Sequence, residues 1–226
     1  MNYGFFECKF CNQRYVKEAQ FKKHKCDLME RDEFVRTDKR GRFAFNVYKT
    51  WIKVRGYLPQ GRGTFIESRY YNSILKFAAF YYDAMLPDVE DYIKFMVEGE
   101  FLPQMWYNTT VYEQYLVAFD DRVKPLKQAE ITFKYLDILA RSLECEPVEV
   151  FDYIYVNELV KLIQCRRLSP WVLLVSKRFH QYMADCDEAE LPALETMVNE
   201  DIWAHKFKAW PKSVATIRKL AKELGI

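Results

Sequence analysis

A mainly α-helical chain headed by a small ββα module is what this sequence predicts, and three observations predict it. After residue 27 no stretch alternates convincingly with period two, whereas apolar residues recur at helical spacing in segment after segment. Helix start and stop residues punctuate those segments, among them Lys124-Pro125, Ser169-Pro170, Gly56, Gly99 and Gly225. The first 27 residues differ: Cys8 and Cys11 form a C-x2-C pair, and His24 and Cys26 follow after a twelve-residue gap.

The N-terminal module can be justified residue by residue. A C-x2-C pair is what a hairpin turn needs to aim two thiolates at one ion. Tyr15 and Phe21 stand where a ββα finger keeps its minimal apolar core, and His24 follows Phe21 by one helical turn. Cys8, Cys11, His24 and Cys26 are therefore the candidate ligands of a zinc ion, in a zinc finger spanning residues 1–27. So short a segment needs the metal to fold. The ending His24-x-Cys26 departs from the usual H-x3-5-H. Residues two apart on a helix face different ways, so the helix must stop near His24 and Cys26 must return from the turn after it. The competing reading is a set of buried free thiols beside an exposed histidine.

The rest follows in chain order. Residues 28–62 read as a basic linker and a first helix, Phe43 to Val54, with Phe43, Val47, Trp51 and Val54 on one stripe. Residues 63–226 read as an all-α helical body, with a break between two lobes near 120–125. Within it Thr64 and Glu67 suggest a capping box opening a helix to about Ala84. Further helices are expected from Val89, from Thr109 or Thr110, from Pro125 to Glu144, from Pro147 to Tyr155, over Asn157–Cys165, over Trp171–Met183, over Glu190–Val198 and over Pro211–Leu224. Trp106 falls in a connecting turn, and Trp203 and Trp210 fall in loops or helix ends.

Composition narrows the function classes. Half of the 226 residues are apolar, 17% are aromatic and only 7 are glycine. No apolar run approaches the roughly 20 residues of a membrane span, and no signal-peptide pattern opens the chain. A soluble protein of a reducing cytoplasm is expected, with Cys145, Cys165 and Cys186 as buried thiols. The net charge of +2 conceals a segregation. Residues 1–80 hold 17 Lys plus Arg against 8 Asp plus Glu, and the remainder holds 17 against 24. A basic N-terminal third attracts polyanions.

In a ββα finger the base-reading positions, counted from the helix start, fall on Lys17, Gln20 and Lys23. Lysine suits guanine and glutamine suits adenine, while Lys22 lies among the phosphate-facing residues. A finger that docks on protein instead is the alternative. Arg40, Arg42, Arg55, Arg62 and Arg69 extend the basic surface, with Trp51, Tyr57, Tyr70 and Tyr71 interleaved. Cations with aromatics are what a surface for single strands or forks requires, although Trp51 and Tyr71 fit a core better. Gln60-Gly61-Arg62-Gly63 is no phosphate-binding P-loop, because the Lys-Ser/Thr that must follow is missing. Enzyme signatures are weak. Asp120-Asp121 and the group Asp185, Asp187 and Glu188 could hold Mg²⁺ as in a nuclease, yet carboxylates at helix ends usually cap. No enzymatic activity is expected.

Two stretches carry a resemblance. Phe65-Ile66-Glu67-Ser68-Arg69-Tyr70-Tyr71-Asn72-Ser73-Ile74-Leu75-Lys76-Phe77 and the run from Asn157 to Trp171 resemble zinc-finger proteins of T4-like bacteriophages, cyanophages included, over nearly the whole chain. The order of helices from Arg69 onward is similar to the T4-type replicative helicase loader, with Lys161-Leu162-Ile163-Gln164, Ser169, Trp203 and Lys206 to Ala209 at similar spacing. That resemblance implies an all-α, two-lobed protein without ATPase motif. It would bind forked or single-stranded DNA and recruit a replicative helicase and single-strand-binding protein in the bacterial host cytoplasm. The finger is a departure, since that family opens with a finger-less helical lobe. A transcription regulator contacting RNA polymerase, or a metal-dependent nuclease, are the other readings.

Overall fold

The computed structural model describes residues 5–226, the side chain of Ile202 excepted. It is mainly α-helical, with one small two-stranded sheet at the start of the chain. Strands β1 (Phe6–Glu7) and β2 (Arg14–Tyr15) pair antiparallel, Phe6 opposite Tyr15 and Glu7 opposite Arg14, and helix α1 (Glu18–Lys23) follows. Two compact units divide the chain. The first comprises the residues up to Asp83 together with Val89–Tyr112, and the second Ala84–Asp88 together with Glu113–Ile226.

In the first unit, α2 (Asp27–Thr37), α3 (Lys39–Val54), α4 (Arg62–Glu67), α5 (Tyr71–Asp83) and α6 (Val89–Glu98) follow α1. Helix α3 packs on α2, α4, α5 and α6. It begins four residues earlier than its apolar stripe suggests. The carboxylate of Asp38 accepts hydrogen bonds from the amides of Arg40 (2.8 Å) and Gly41 (3.2 Å), which caps the helix there. The Lys39–Arg42 cluster is thus the first turn of α3, and residues 27–37, whose charged sequence fits a linker or a short helix, are a helix. Gly41 lets the two backbones touch, since a Cβ at that position would sit 2.4 Å from the carbonyl oxygen of Phe34.

The helix expected from Thr64 to Ala84 is two helices. Its first piece opens at Arg62, so Thr64 and Glu67 form no cap. The backbone turns extended at Ser68 (φ −62°, ψ 136°), and Ser68 Oγ accepts from the Tyr70 amide at 3.1 Å. Trp106 lies in a connecting turn, as expected, yet that turn faces inward. The residue follows a short 3-10 turn (Pro103–Met105) and is fully buried. Trp51 meets its ring edge to face at 5.9 Å, as does Phe77 at 5.4 Å. Trp106 Nε1 donates to the Phe101 carbonyl and the Tyr92 hydroxyl donates to the Trp106 carbonyl, each at 3.0 Å. Trp51 and Tyr71 are core residues, as expected.

The boundary between the units falls within α7 (Thr109–Arg122). The second unit continues with α8 (Pro125–Leu143), a 3-10 turn (Pro147–Glu149) running into α9 (Val150–Tyr153), α10 (Val156–Gln164), α11 (Pro170–Leu173), α12 (Lys177–Asp185), α13 (Leu191–Val198), α14 (Glu200–Ala209) and α15 (Pro211–Glu223). The single helix expected over Trp171–Met183 is split, because Ser176 Oγ accepts from the Phe179 amide at 3.0 Å and starts α12 afresh. Trp203 lies inside α14, with its Nε1 donating to the Met197 carbonyl.

One buried polar knot ties this unit together. Gln128 is 1% exposed and all its hydrogen-bonding groups are used. Its amide donates to the carbonyls of Asp120 (3.0 Å) and Val123 (2.7 Å), which finish α7. Its Oε1 accepts from Trp171 Nε1 (2.6 Å) and from the Ser169 hydroxyl (3.1 Å). Buried Lys206 also donates to the Asp120 carbonyl. Gln128→Leu keeps the volume but orphans Trp171 Nε1 and one helix-end carbonyl. A loss of about 2–4 kcal/mol is expected, since each stranded buried group costs about 1–3 kcal/mol. Urea unfolding followed by circular dichroism measures it, and a loss below about 0.5 kcal/mol, the range of neutral surface changes, would contradict the account.

Candidate metal centre and basic surface

The hairpin turn between β1 and β2 is a knuckle. The Asn12 amide donates to the Cys8 carbonyl (2.8 Å), the Cys8 amide donates to the Gln13 carbonyl (2.9 Å), and Asn12 takes a left-handed conformation (φ 57°) that asparagine tolerates well. This fold turns Cys8 and Cys11 the same way. Phe6 stacks on Phe21 at 5.9 Å and Tyr15 meets Phe21 at 6.0 Å, so the strands and α1 share one small core. Helix α1 ends at Lys23. His24 follows with extended backbone (φ −66°, ψ 130°), and Cys26 is the extended residue that precedes α2. The helix therefore stops where the His-x-Cys ending requires.

The result is a convergent donor set. One donor atom each from Cys8, Cys11, His24 and Cys26 lies within 4.8 Å of all the others. A tetrahedral zinc ion with Zn–S bonds near 2.3 Å holds its sulfurs roughly 3.8 Å apart, so these residues could hold such an ion with small movements. Among the described residues this is the only group of three or more Cys, His, Asp or Glu side chains that converges in this way. Burial pushes the Cys8 thiol up, but the amides of Cys11 and Phe10 and the Cys11 and His24 side chains outweigh it and bring the thiol down to about 6. N–H groups aimed at a sulfur favour the thiolate, which is the form that binds metal.

Of the carboxylates weighed for Mg²⁺, Asp120 and Asp121 are engaged by cations. Asp120 receives Arg166 Nε at 2.9 Å, and Asp121 receives Lys206 Nζ at 3.2 Å. Burial raises the Asp120 carboxyl above its usual range, against the pull of Arg166 and Lys206. Asp185 and Asp187 line a cavity of about 330 Å³ with Asp152, Glu190 and Arg178, and Arg178 is paired with Asp152. Lys206 as a buried anchor was invisible in the sequence, since its partners lie some eighty residues away.

All nine basic-surface candidates are exposed, and all belong to the first unit. Gln20 and Lys23 lie on α1, Lys17 is the extended residue just before it, and the three side chains have no partner among the described residues. Lys22 pairs with Glu18 at 2.8 Å. The arginines are partly committed. Arg40 lies over Phe34, Arg42 donates to the carbonyls of Arg36 and Thr37 at the end of α2, and Arg62 pairs with Asp32 at 2.5 Å. Arg69 lies over Tyr70 and donates to its hydroxyl, while Arg55 lies 5.2 Å from the Trp51 ring and 5.5 Å from the Tyr57 ring. Tyr57 and Leu58 are strongly exposed beside it. The first unit holds 18 Lys plus Arg against 13 Asp plus Glu, and the second 16 against 19. The charge contrast is smaller than between residues 1–80 and the rest, because acidic α6 folds into the basic unit.

No helix of the described residues is long and apolar enough to cross a membrane. Comparison with protein-family models, with curated proteins and with solved structures finds no match, so the chain is placed by its own geometry: a mainly α-helical protein whose N-terminal cysteines and histidine form a candidate metal centre.

Proposed function

We propose that this is a zinc-stabilised DNA-binding accessory protein of bacteriophage replication or recombination, loader-like, acting in the host cytoplasm without an enzymatic activity of its own. The observation that carries the DNA reading is the group of Lys17, Gln20 and Lys23, exposed and uncommitted at the start of the finger helix and along it, with Arg40, Arg55 and Arg69 exposed in the same unit. Zinc is the metal that three thiolates and one imidazole suit best. The resemblance of the Phe65–Phe77 and Asn157–Trp171 stretches to phage proteins supports the setting. The acidic second unit is the part that would meet a protein machine, such as a replicative helicase, a single-strand-binding protein or RNA polymerase.

Anisotropy of labelled duplex, fork and single-strand probes tests this at two salt concentrations. Binding is expected to weaken steeply with salt as counterions return to phosphate. Reversing Lys17, Lys23, Arg55 and Arg69 together should flatten the salt dependence by about 0.9 per lost phosphate contact on duplex. Reversing Lys124, Lys134 and Lys212, exposed in the second unit, should leave it unchanged. Loss confined to Lys17 and Lys23 would indicate duplex held by the finger helix. Loss tracking Arg55, Arg69 and Tyr57 would indicate single strands or forks. Charge reversal is preferable to deleting residues 1–80, because that cut would remove Trp51 and Phe77 from the core around Trp106. Absent or salt-insensitive binding by the intact protein would exclude the DNA reading.

A further inference from the structure

We infer that Tyr15 is the positioning residue of the metal centre: its hydroxyl fixes the tautomer and ring orientation of His24, and so sets how tightly the ion is held. This rests on the metal reading above. His24 stands just beyond the end of α1, on extended backbone, so no helical turn fixes its side chain. Two contacts fix the ring instead. Its Nε2 lies 3.3 Å from Cys11 Sγ, close to the roughly 3.5 Å expected for nitrogen and sulfur on one tetrahedral zinc. Its Nδ1 lies 2.6 Å from the Tyr15 hydroxyl.

These contacts together determine the proton. A neutral imidazole carries one N–H and one lone pair. A metal can use only the lone pair, and the nitrogen that faces the cysteines is Nε2. The hydrogen must then sit on Nδ1, and the Tyr15 oxygen accepts it. Tyr15 itself is held by strand pairing with Phe6 and by packing on Phe21, and its ring also lies against the His24 ring at 5.1 Å. Strand register thus sets the ring of Tyr15, that ring sets the tautomer of His24, and the tautomer presents the lone pair. In a finger whose histidine has left the helix, this hydroxyl supplies the orientation that a continuing helix would otherwise give. The same bond occupies the Nδ1 hydrogen, so His24 has no donor left for a phosphate even where α1 touches DNA.

Tyr15→Phe in the full-length protein removes the hydroxyl and keeps the ring. Competition between the protein and a chromophoric chelator should show Zn²⁺ and Co²⁺ held 10–100-fold more weakly, the usual scale for losing such a partner. The Co²⁺ absorption envelope should keep the shape given by three sulfurs and one nitrogen, whereas His24→Ala should alter it. Long-range proton–nitrogen NMR of His24 should show a single Nδ1–H tautomer in the wild type and a broadened or mixed ring signal in Tyr15→Phe. Tyr15→Leu, which removes the ring as well, should be weaker still. If Tyr15→Phe binds within twofold of wild type and only Tyr15→Leu fails, Tyr15 merely packs and the inference is overturned. If the wild type takes up no Co²⁺ at all, the metal reading falls and this inference with it.

Discussion

Trp106→Ala is expected to cost the protein about 3–5 kcal/mol, the range for removing a large aromatic side chain from a packed core. The indole is fully buried and sits between Trp51 and Phe77, meeting both edge to face. Such ring pairs contribute beyond the area they bury. Truncation also strands the Phe101 carbonyl that accepts from Nε1. Trp106→Phe should recover part of the loss by refilling the space without the hydrogen bond. Trp210→Ala is the comparison: that indole is 46% exposed, and its removal should stay within about 0.5 kcal/mol. Urea unfolding of the three variants decides the matter. Similar midpoints for Trp106→Ala and Trp210→Ala would mean that Trp106 does not organise the first unit.

Removing the metal should unfold the finger and leave the helices. Structural zinc in finger peptides contributes apparent binding free energies of about 10–16 kcal/mol near neutral pH, and that is folding free energy. The segment has little else: Phe6 and Tyr15 each meet the ring of Phe21, and Phe6 is itself exposed. Chelation should therefore open residues 5–26 to trypsin at Lys17, Lys22, Lys23 and Lys25. The far-UV dichroism should barely change, because α1 contributes only six helical residues. Acid should act in the same direction, since protons compete for the thiolates and for Nε2. Cys26→Ser should mimic chelation. Freshly purified, unchelated protein without bound zinc, or unchanged protease sensitivity after chelation, would overturn the expectation.

The candidate metal centre was legible because ligand chemistry imposes spacing: two thiols on a knuckle, then a histidine after one short helix. Even the early end of α1 followed from the single residue that separates His24 from Cys26. The Tyr15–His24 bond was not legible. Tyr15 matches an apolar core position, and nothing in its spacing reveals where a hydroxyl points. The helical body was legible where proline marked a start, as at Pro125, Pro170 and Pro211. It was illegible at Ser68 and Ser176. There the apolar pattern runs straight through a break made by one serine hydroxyl, and serine also occurs within helices. Trp106 was placed in its connecting turn, but its burial was not legible. Neighbouring Pro103 signals a turn, and only the fold shows that this turn carries its tryptophan inward.

The touching backbones at Gly41 and Phe34 have a bearing on association energetics. Where a Cβ has no room, α2 and α3 have little freedom to slide, and the first turn of α3 is additionally pinned by Asp38. Arg40 and Arg42 issue from that pinned turn on either side of the glycine. Their guanidinium groups are already oriented, one over Phe34 and the other against the carbonyls that end α2. An anion arriving there meets cations whose side-chain entropy has been surrendered during folding, and ordering a long side chain at an interface costs about 0.5–1.5 kcal/mol. Arg42 must still exchange its carbonyl partners for a phosphate, whereas Arg40 has only a ring to leave. Of the two arginines on this rigid turn, Arg40 is therefore the one poised to engage at lower enthalpic cost.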